Sequence, residues 1–343
     1  MLPRVITKDD FRGFLESLIA GNKVAGPVPK DGHFVFDEVA RPDDLVMDYP
    51  IALQSPKKFF FPQFETLLRY RLGDAVEVEA VIEAEPWVIV GAHPCDIAAT
   101  WLLDAVFSDN EGDPNYLSRR SRAVIIGLDC GKPCDEYQFC LDMGSLTNRD
   151  GADLFLTDLG DRYFVEILTE RGKEILDSNT QAARPAASED FAAKQDFAEA
   201  QSAAFRRKLP FDVKYLPEIL EESYDSLIWE ALGRRCFSCG SCNLVCPTCY
   251  CFDVQDELEL DLKTAKRVRR WDSCQLLEFA EVAGGENFRE RRGDRLRHRF
   301  FRKGKFILER YGRMGCVGCG RCDRACMAKI SSVETYTQIA GSR

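Results

Sequence analysis

The chain has 343 residues, of which 45% are hydrophobic and 30% are charged, a globular composition with enough length for more than one core. No apolar run approaches the ~20 residues of a membrane-spanning helix, so a transmembrane role is excluded. The net charge of −10 argues against general binding to nucleic acid, because phosphates repel an acidic surface.

Residues 1–180 are predicted to form a mixed α/β domain. Apolar residues keep helical spacing over 11–20, and Asp9 or Asp10 is expected to cap that helix. Residues 77–83 alternate apolar and acidic side chains, which indicates a half-buried strand.

The middle of this domain has the order strand, helix, strand. Continuous apolar runs at 87–90 and 123–128 are typical of buried strands, and 97–107 is helical in composition. We therefore expect a βαβ unit. Residues 153–159 and 162–168, separated by a Gly-Asp pair, are predicted to form a hairpin that closes the domain.

The remaining chain is predicted to form a linker and a second domain. Residues 181–210 are rich in alanine and suit a helical linker, and 211–343 are expected to form a mainly helical domain in which 258–283 is largely helical. Between 263 and 305, fourteen Lys or Arg face only six acidic residues. Such a segment indicates either a docking surface or a solvated helical face. The fold class is thus α+β.

Fifteen cysteines are the unusual feature of the composition. The first ten residues contain neither an apolar signal region nor a twin-arginine motif, so we expect a cytoplasmic protein. Thiols stay reduced in that compartment, and dense cysteine there indicates metal ligation or redox chemistry rather than disulfides.

Two cysteine runs share the spacing C-x2-C-x2-C-x3-C of bacterial-type two-cluster ferredoxins. The first run consists of Cys236, Cys239, Cys242 and Cys246, followed by Pro247. The second consists of Cys316, Cys319, Cys322 and Cys326, followed by Met327 where proline is usual. The repeat of the complete spacing predicts two 4Fe-4S clusters.

In two-cluster ferredoxins the fourth cysteine of each run binds the other cluster. One cluster is therefore predicted to bind Cys236, Cys239, Cys242 and Cys326. The other is predicted to bind Cys316, Cys319, Cys322 and Cys246. The alternative is a pair of four-thiolate zinc sites, since C-x2-C pairs also bind zinc.

A second group of cysteines lies upstream, at Cys95, Cys130, Cys134 and Cys140. Cys95 and Cys130 each follow a predicted parallel strand, and the carboxyl ends of such strands line the crevice where α/β sheets bind ligands. These four thiols are candidates for a third 4Fe-4S cluster, and the alternative is free cysteine packed in the core. His93 is expected to be structural rather than a ligand.

Three cysteines remain: Cys249, Cys251 and Cys274. Cys249 and Cys251 follow the first run so closely that we expect them to pack beside its cluster rather than bind it, and Cys274 has no assigned role. The sequence contains no G-x-G-x-x-G after a strand, no Walker A motif and no hydrolase triad. We therefore predict no catalytic residues, and expect two-electron chemistry with a soluble donor to occur on another polypeptide.

Several segments outside the tandem runs resemble a known family. They include 91–96, 129–130, 139–140, 143–144, 246–251, 270–274 and 283–289. Together they are similar to the β subunit of cytoplasmic hydrogenase/sulfur reductase complexes and to the A subunit of anaerobic sulfite reductase. The likeness covers nearly the whole chain.

The resemblance implies an electron-transfer subunit. In such complexes a flavoprotein subunit with FAD exchanges electrons with NAD(P)H, this subunit relays them, and a hydrogenase, sulfite reductase or heterodisulfide-reductase-like partner uses them. Two other hypotheses remain open. One is direct reduction of a sulfur substrate at the N-terminal cysteines, and the other is a structural module whose metals only stabilise the fold.

Overall fold

The computed structural model describes residues 1–341 of the chain. The strands are β1 (Arg4–Thr7), β2 (Lys23–Lys30), β3 (His33–Glu38), β4 (Phe64–Arg71), β5 (Glu77–Ala80), β6 (Trp87–Ala92), β7 (Val124–Leu128), β8 (Leu154–Asp158), β9 (Arg162–Ile167), β10 (Arg184–Pro185), β11 (Phe252–Leu258) and β12 (Thr264–Trp271). The α-helices are α1 (Lys8–Gly21), α2 (Pro94–Phe107), α3 (Pro114–Arg122), α4 (Glu170–Asn179), α5 (Ser188–Ala204), α6 (Leu216–Glu222), α7 (Ile228–Arg235), α8 (Ser241–Leu244), α9 (Arg292–Phe301), α10 (Ile307–Tyr311), α11 (Arg321–Arg324) and α12 (Ser332–Gly341).

The larger sheet has eight strands in the order β10-β1-β9-β8-β7-β6-β2-β3. Strands β2, β6, β7 and β8 are parallel neighbours, and antiparallel strands complete both sides. Strands β6 and β7 are almost wholly buried, which explains why their sequences read as continuous apolar runs.

The predicted elements of residues 1–180 are confirmed. Helix α2 connects the parallel strands β6 and β7 as a βαβ unit, and β8 and β9 pair antiparallel as a hairpin. The predicted first helix is α1, but its cap is Thr7, whose side chain accepts a hydrogen bond from the Asp10 amide at 3.1 Å. The capping assignment to Asp9 or Asp10 was therefore wrong by two or three residues.

The smaller sheet has four strands in the order β11-β12-β4-β5. Strands β11 and β12 come from the predicted second domain, whereas β4 and β5 come from the predicted first domain. The strand predicted at 77–83 is confirmed as β5 over Glu77–Ala80. All four of its residues are exposed, so the prediction of a half-buried strand was wrong. The prediction that 258–283 is largely helical was wrong, because β12 and an irregular segment occupy it.

The fold has two main hydrophobic cores. The larger core packs the eight-stranded sheet against α1 and α2, and the smaller packs α6, α7, α9 and α12 around Trp229 and Phe300. The C-terminal part is thus rich in helices but includes two strands, and the expectation of a mainly helical domain is not confirmed.

Helix α5 fills most of the predicted linker. Its Asp190 accepts hydrogen bonds from the Arg162 and Arg184 side chains at 2.8 Å and 2.7 Å, and Gln201 donates to the Cys130 carbonyl at 2.9 Å. Both ends of the helix are therefore attached to the larger sheet or its loops. Within residues 1–341 we find no helix that is both long and apolar enough to cross a bilayer.

Candidate metal centres

The two cysteine runs fold alike. In each run a loop leads to a glycine in the left-handed region, Gly240 at φ 76° and Gly320 at φ 73°, which begins a one-turn helix, α8 or α11. A left-handed turn at this point favours glycine because a Cβ there would be strained. The sequence repeat thus becomes a structural repeat, with α8 and α11 in contact.

The cysteines of both runs line two adjoining cavities. The first cavity is lined by Cys236, Cys239, Cys242, Cys322 and Cys326. The second is lined by Cys246, Cys316, Cys319 and Cys322. Each cavity therefore contains the four cysteines predicted for one cluster, including the fourth cysteine of the opposite run, and Cys322 borders both.

The donors around the two cavities suit iron–sulfur clusters. Backbone amides donate to three of the sulfurs, from Ser238 to Cys236 at 3.3 Å, from Gly318 to Cys316 at 3.4 Å, and from Ile330 to Cys326. Amide donors stabilise thiolate ligands and tune the potential of a cluster.

Burial strongly affects the thiols of these cavities. It raises the pKa of Cys242 to about 12 and that of Cys322 to about 12, because a thiolate is costly in a dry site. A bound iron replaces the proton of each ligand, so these thiols would lose their protons on cluster binding.

Buried cations lie beside the cysteines. Arg299 and Lys303 are 6% and 7% exposed, and both line the second cavity. Burial alone would lower the pKa of Lys303, but the nearby Cys246 and Cys249 thiols outweigh burial and the net pKa is raised. The positive charge of Lys303 is therefore retained and favours anionic sulfur nearby.

Burial of these cations beside the cysteines was not predicted from the sequence. The basic segment was interpreted as a docking surface or a solvated face, yet Arg295, Arg299 and Lys303 are all buried. Their spacing of four residues, with apolar neighbours such as Phe300, is the signal that places them on one inward face of a helix. A π-helical turn at Arg302–Phe306 continues α9 through this region, as such turns often do at functional sites.

The N-terminal cysteines also come together. Cys95 follows β6 and Cys130 follows β7, at the carboxyl ends of adjacent parallel strands. Cys134, Cys95 and Cys140 are all close enough to Cys130 to raise its pKa, with Cys134 having the largest effect. Convergence of the four thiols agrees with the expected crevice, and their role as ligands of a third cluster stays a prediction.

His93 is buried beside this group. Its ring stacks on Tyr49, with the ring centres 4.2 Å apart and the planes 9° apart. Hydrogen bonds from Cys130 and from His93 lower the pKa of Cys134 to about 5. The buried Nδ1 atom of His93 has no hydrogen-bond partner within residues 1–341, and the structural role of His93 stays a prediction.

The N-terminal cysteines adjoin the second run. Cys95 packs in one cluster with Val317 and Cys319. A Cβ atom on Gly318 would lie 2.7 Å from the Cys140 Cα atom, so only glycine permits this approach of the two loops. Gln138, in the same loop, is buried, and its side-chain oxygen is 3.5 Å from the Cys140 sulfur.

A buried ion pair joins the same two regions. The Arg321 guanidinium contacts the Asp96 carboxylate through two hydrogen bonds, at 2.6 Å and 3.0 Å, and its Nε donates to the Ala52 carbonyl at 2.9 Å. Arg321 stands between Cys319 and Cys322, and Asp96 follows Cys95. The pair therefore fixes the position of the second run relative to the N-terminal cysteines.

The three remaining cysteines lie close to the tandem runs, and Cys249 is near enough to Cys246 to affect its pKa. Cys249, Cys251 and Cys274 line a third cavity, which also includes Arg299 and Lys303. Within residues 1–341, no group of three or more His, Cys, Asp and Glu side chains is arranged to hold a single metal ion.

Comparisons with known proteins agree with these arrangements. A family model described as a 4Fe-4S dicluster domain matches residues 235–330, the segment that contains both cysteine runs. The chain is also 35% identical over 329 residues to sulfhydrogenase 2 subunit beta of Pyrococcus furiosus, and the alignment covers 96% of each chain. The chain therefore belongs to the family of hydrogenase/sulfur reductase β subunits and carries a 4Fe-4S dicluster domain.

Proposed function

We propose that this chain is an electron-transfer subunit that relays electrons between an NAD(P)H-linked flavoprotein subunit and a catalytic partner. The partner is a hydrogenase, a sulfur or sulfite reductase, or a heterodisulfide-reductase-like module. The observation that supports this proposal most is that the cavities of the two runs share Cys322 and Arg299. Clusters held there would be close neighbours, as a relay requires.

In the proposed ligand sets, the fourth cysteine of each run binds the cluster of the other run. One 4Fe-4S cluster binds Cys236, Cys239, Cys242 and Cys326, and the other binds Cys316, Cys319, Cys322 and Cys246. A third cluster at Cys95, Cys130, Cys134 and Cys140 is part of the proposal, supported by their convergence and by the packing of Cys95 against Cys319. A cytoplasmic location, where thiols stay reduced, is also part of it.

Each cluster would supply a one-electron redox centre, and the chain would supply its surroundings. Backbone amides donate to the ligand sulfurs, and the Arg299 and Lys303 side chains offset negative charge in a region closed to water. These contacts set how readily an electron enters a cluster. The protein thereby controls the potentials along the relay without touching a substrate.

The test is Cys242→Ser in the anaerobically purified complex. We expect electron flow from NAD(P)H to the terminal acceptor to stop, while the catalytic partner still reacts with an artificial electron carrier. Met327→Ala is the matched control, because Met327 directly follows Cys326 in a cluster loop but is 70% exposed. Unchanged flow in a folded Cys242→Ser complex would contradict the relay.

The partners are tested by anaerobic affinity purification from the native host. A flavoprotein together with a hydrogenase, a sulfite reductase or a heterodisulfide-reductase-like set is the expected result. Isolation of the chain alone, with no redox partner under gentle conditions, would contradict the proposal.

A second function, direct reduction of a sulfur substrate at the N-terminal cysteines, has one observation in its favour. Cys134 is only partly buried, and its pKa of about 5 makes it a thiolate at neutral pH. Turnover of polysulfide by the purified subunit alone, with an artificial reductant, would favour this function over the relay.

A further inference from the structure

The cavity that Cys249, Cys251 and Cys274 line has a volume of about 300 Å³. It is the largest of the three cysteine-lined cavities and far larger than a single metal ion needs. None of the three thiols is used by the clusters proposed above. They approach from two directions, since two of them follow the first run and Cys274 follows β12.

One of the three thiols, Cys274, is held by contacts typical of a sulfur anion. The Asn243 side-chain amide donates to the Cys274 sulfur at 2.9 Å, and Gln275 donates to the same sulfur at 3.7 Å. The Asn243 oxygen in turn accepts a hydrogen bond from Arg299 Nε at 3.1 Å. A buried sulfur that receives two amide donors is better suited to a ligand thiolate than to a neutral thiol.

Positive charge surrounds this cavity. Arg299, Arg302 and Lys303 all line it, and the buried Lys57 donates to the Cys249 carbonyl at 2.9 Å. None of these four side chains forms an ion pair with a carboxylate of residues 1–341. Burying an unpaired cation is costly, so a negatively charged group is needed nearby.

We propose that Cys249, Cys251 and Cys274 bind a further 4Fe-4S cluster, whose fourth iron faces His298. With a neutral His298, the three thiolates, four sulfides and four irons leave the oxidised cluster with one net negative charge and the reduced cluster with two, which favours the cations nearby. His298 lines the same cavity, and imidazole replaces cysteine as a ligand in some iron–sulfur proteins.

The position of this site extends the relay. Arg299 lines all three cavities, so the new cluster would adjoin both clusters of the tandem runs. Cys251 is partly exposed, so the new site reaches the surface of the chain. The cluster is placed to receive or deliver electrons at a docked partner.

The test compares Cys251→Ser with Tyr250→Phe in the anaerobically purified complex. Tyr250 lines the same cavity between two of the cysteines, so its variant controls for disturbance of the loop. We expect Cys251→Ser to lose one cluster's content of iron and acid-labile sulfide together with one reducible EPR signal, and Tyr250→Phe to lose neither. Unchanged iron in folded Cys251→Ser, or a Cys251–Cys274 disulfide in the anaerobic wild-type complex, would overturn the proposal.

His298→Ala tests the fourth ligand. We expect iron content to be kept, since three thiolates remain, and the EPR g-values of one cluster to shift. An unchanged spectrum would remove His298 from the ligand set.

A second measurement applies if Cys251→Ser does not fold. Cys130→Ser combined with Cys134→Ser leaves the N-terminal site only two thiolates, too few to keep its cluster, and native mass spectrometry of this chain released from that complex then counts the clusters that remain. Three clusters support the further site, whereas two clusters overturn it and leave the relay proposal intact. Loss of the tandem clusters themselves would instead contradict the proposed function.

Discussion

Arg321 and Asp96 show how single residues hold the metal region together. Their side chains are 1% and 0% exposed, and each guanidinium–carboxylate contact is a charge-assisted hydrogen bond. Removing one partner leaves the other charge buried and unpaired, which is the costly outcome for such a pair.

Asp96→Asn should therefore destabilise the chain by about 3–5 kcal/mol, measured as the free energy of unfolding in urea. The matched control is Asp109→Asn, which breaks an exposed ion pair with Arg310. We expect that control to leave the unfolding midpoint unchanged, because exposed pairs contribute little. Equal midpoints for both variants would show that the buried pair does not hold the two regions together.

Lys303 is the residue through which we expect charge to tune a cluster potential. Its ammonium is buried, donates to the Thr248 hydroxyl at 2.6 Å, and lies beside the second cavity. A nearby positive charge makes it easier to add an electron to a cluster.

Lys303→Met should lower the midpoint potential of at least one cluster by several tens of mV, where about 60 mV is a tenfold change in a one-electron equilibrium. EPR-monitored redox titration measures the shift. Lys303→Arg should keep the potential near its wild-type value because it keeps the charge. A folded Met variant with unshifted potentials would remove Lys303 from the tuning role.

At the scale of elements, α5 depends on the contacts of Asp190. This carboxylate accepts from Arg162, Arg184 and the Ala187 amide at the start of the helix. The pKa of Asp190 is well below its usual range, and the hydrogen bond from Arg184 is the largest cause of this shift. The folded chain therefore binds fewer protons here than the unfolded chain does near pH 4, and the stabilisation disappears as the pH falls below that value.

Asp190→Asn should destabilise α5 by about 1–2 kcal/mol at pH 7, the usual effect of a lost helix cap. Hydrogen exchange of the backbone amides of residues 188–204 measures it. The difference between wild type and variant should be equal at pH 7 and pH 5, and smaller at pH 3.5. A difference that grows with acidity would contradict the assigned sign of the pKa shift.

Strand β12 shows why the prediction of a helix at 258–283 failed. Its buried residues include Ala265, Val268 and Arg269, because the pairing with β4 shifts register between Arg267 and Val268. The shift places buried positions three apart instead of two, which imitates a helical pattern. By contrast, the regular βαβ unit was predicted correctly, since its strands are continuous apolar runs.

At the scale of the whole molecule, the spacing of the cysteines predicted the two cluster-binding runs. It did not predict which side chains pack around those runs. The cysteine spacing can be read directly from neighbouring residues. By contrast, the contacts of Arg321 with Asp96 and of Arg269 with Glu65 join residues about two hundred positions apart. Such contacts arise only when distant segments pack, and a single sequence contains no record of them. The third cavity was missed for the same reason, because Cys274 is brought to Cys251 by the pairing of β11 with β12.

The whole molecule is best described as a set of adjoining cysteine-lined sites. Arg299 borders three of them, and Cys95 connects the N-terminal cysteines to the second run through Cys319. This continuity is what an electron relay needs.

The most direct measurement is a reductive titration of the anaerobically purified complex, followed by EPR, with iron and zinc measured on the same sample. We predict reducible 4Fe-4S signals from residues 235–330 that are broadened by interaction between neighbouring clusters, and iron without stoichiometric zinc. Stoichiometric zinc with no reducible paramagnetic centre on this chain would contradict the account.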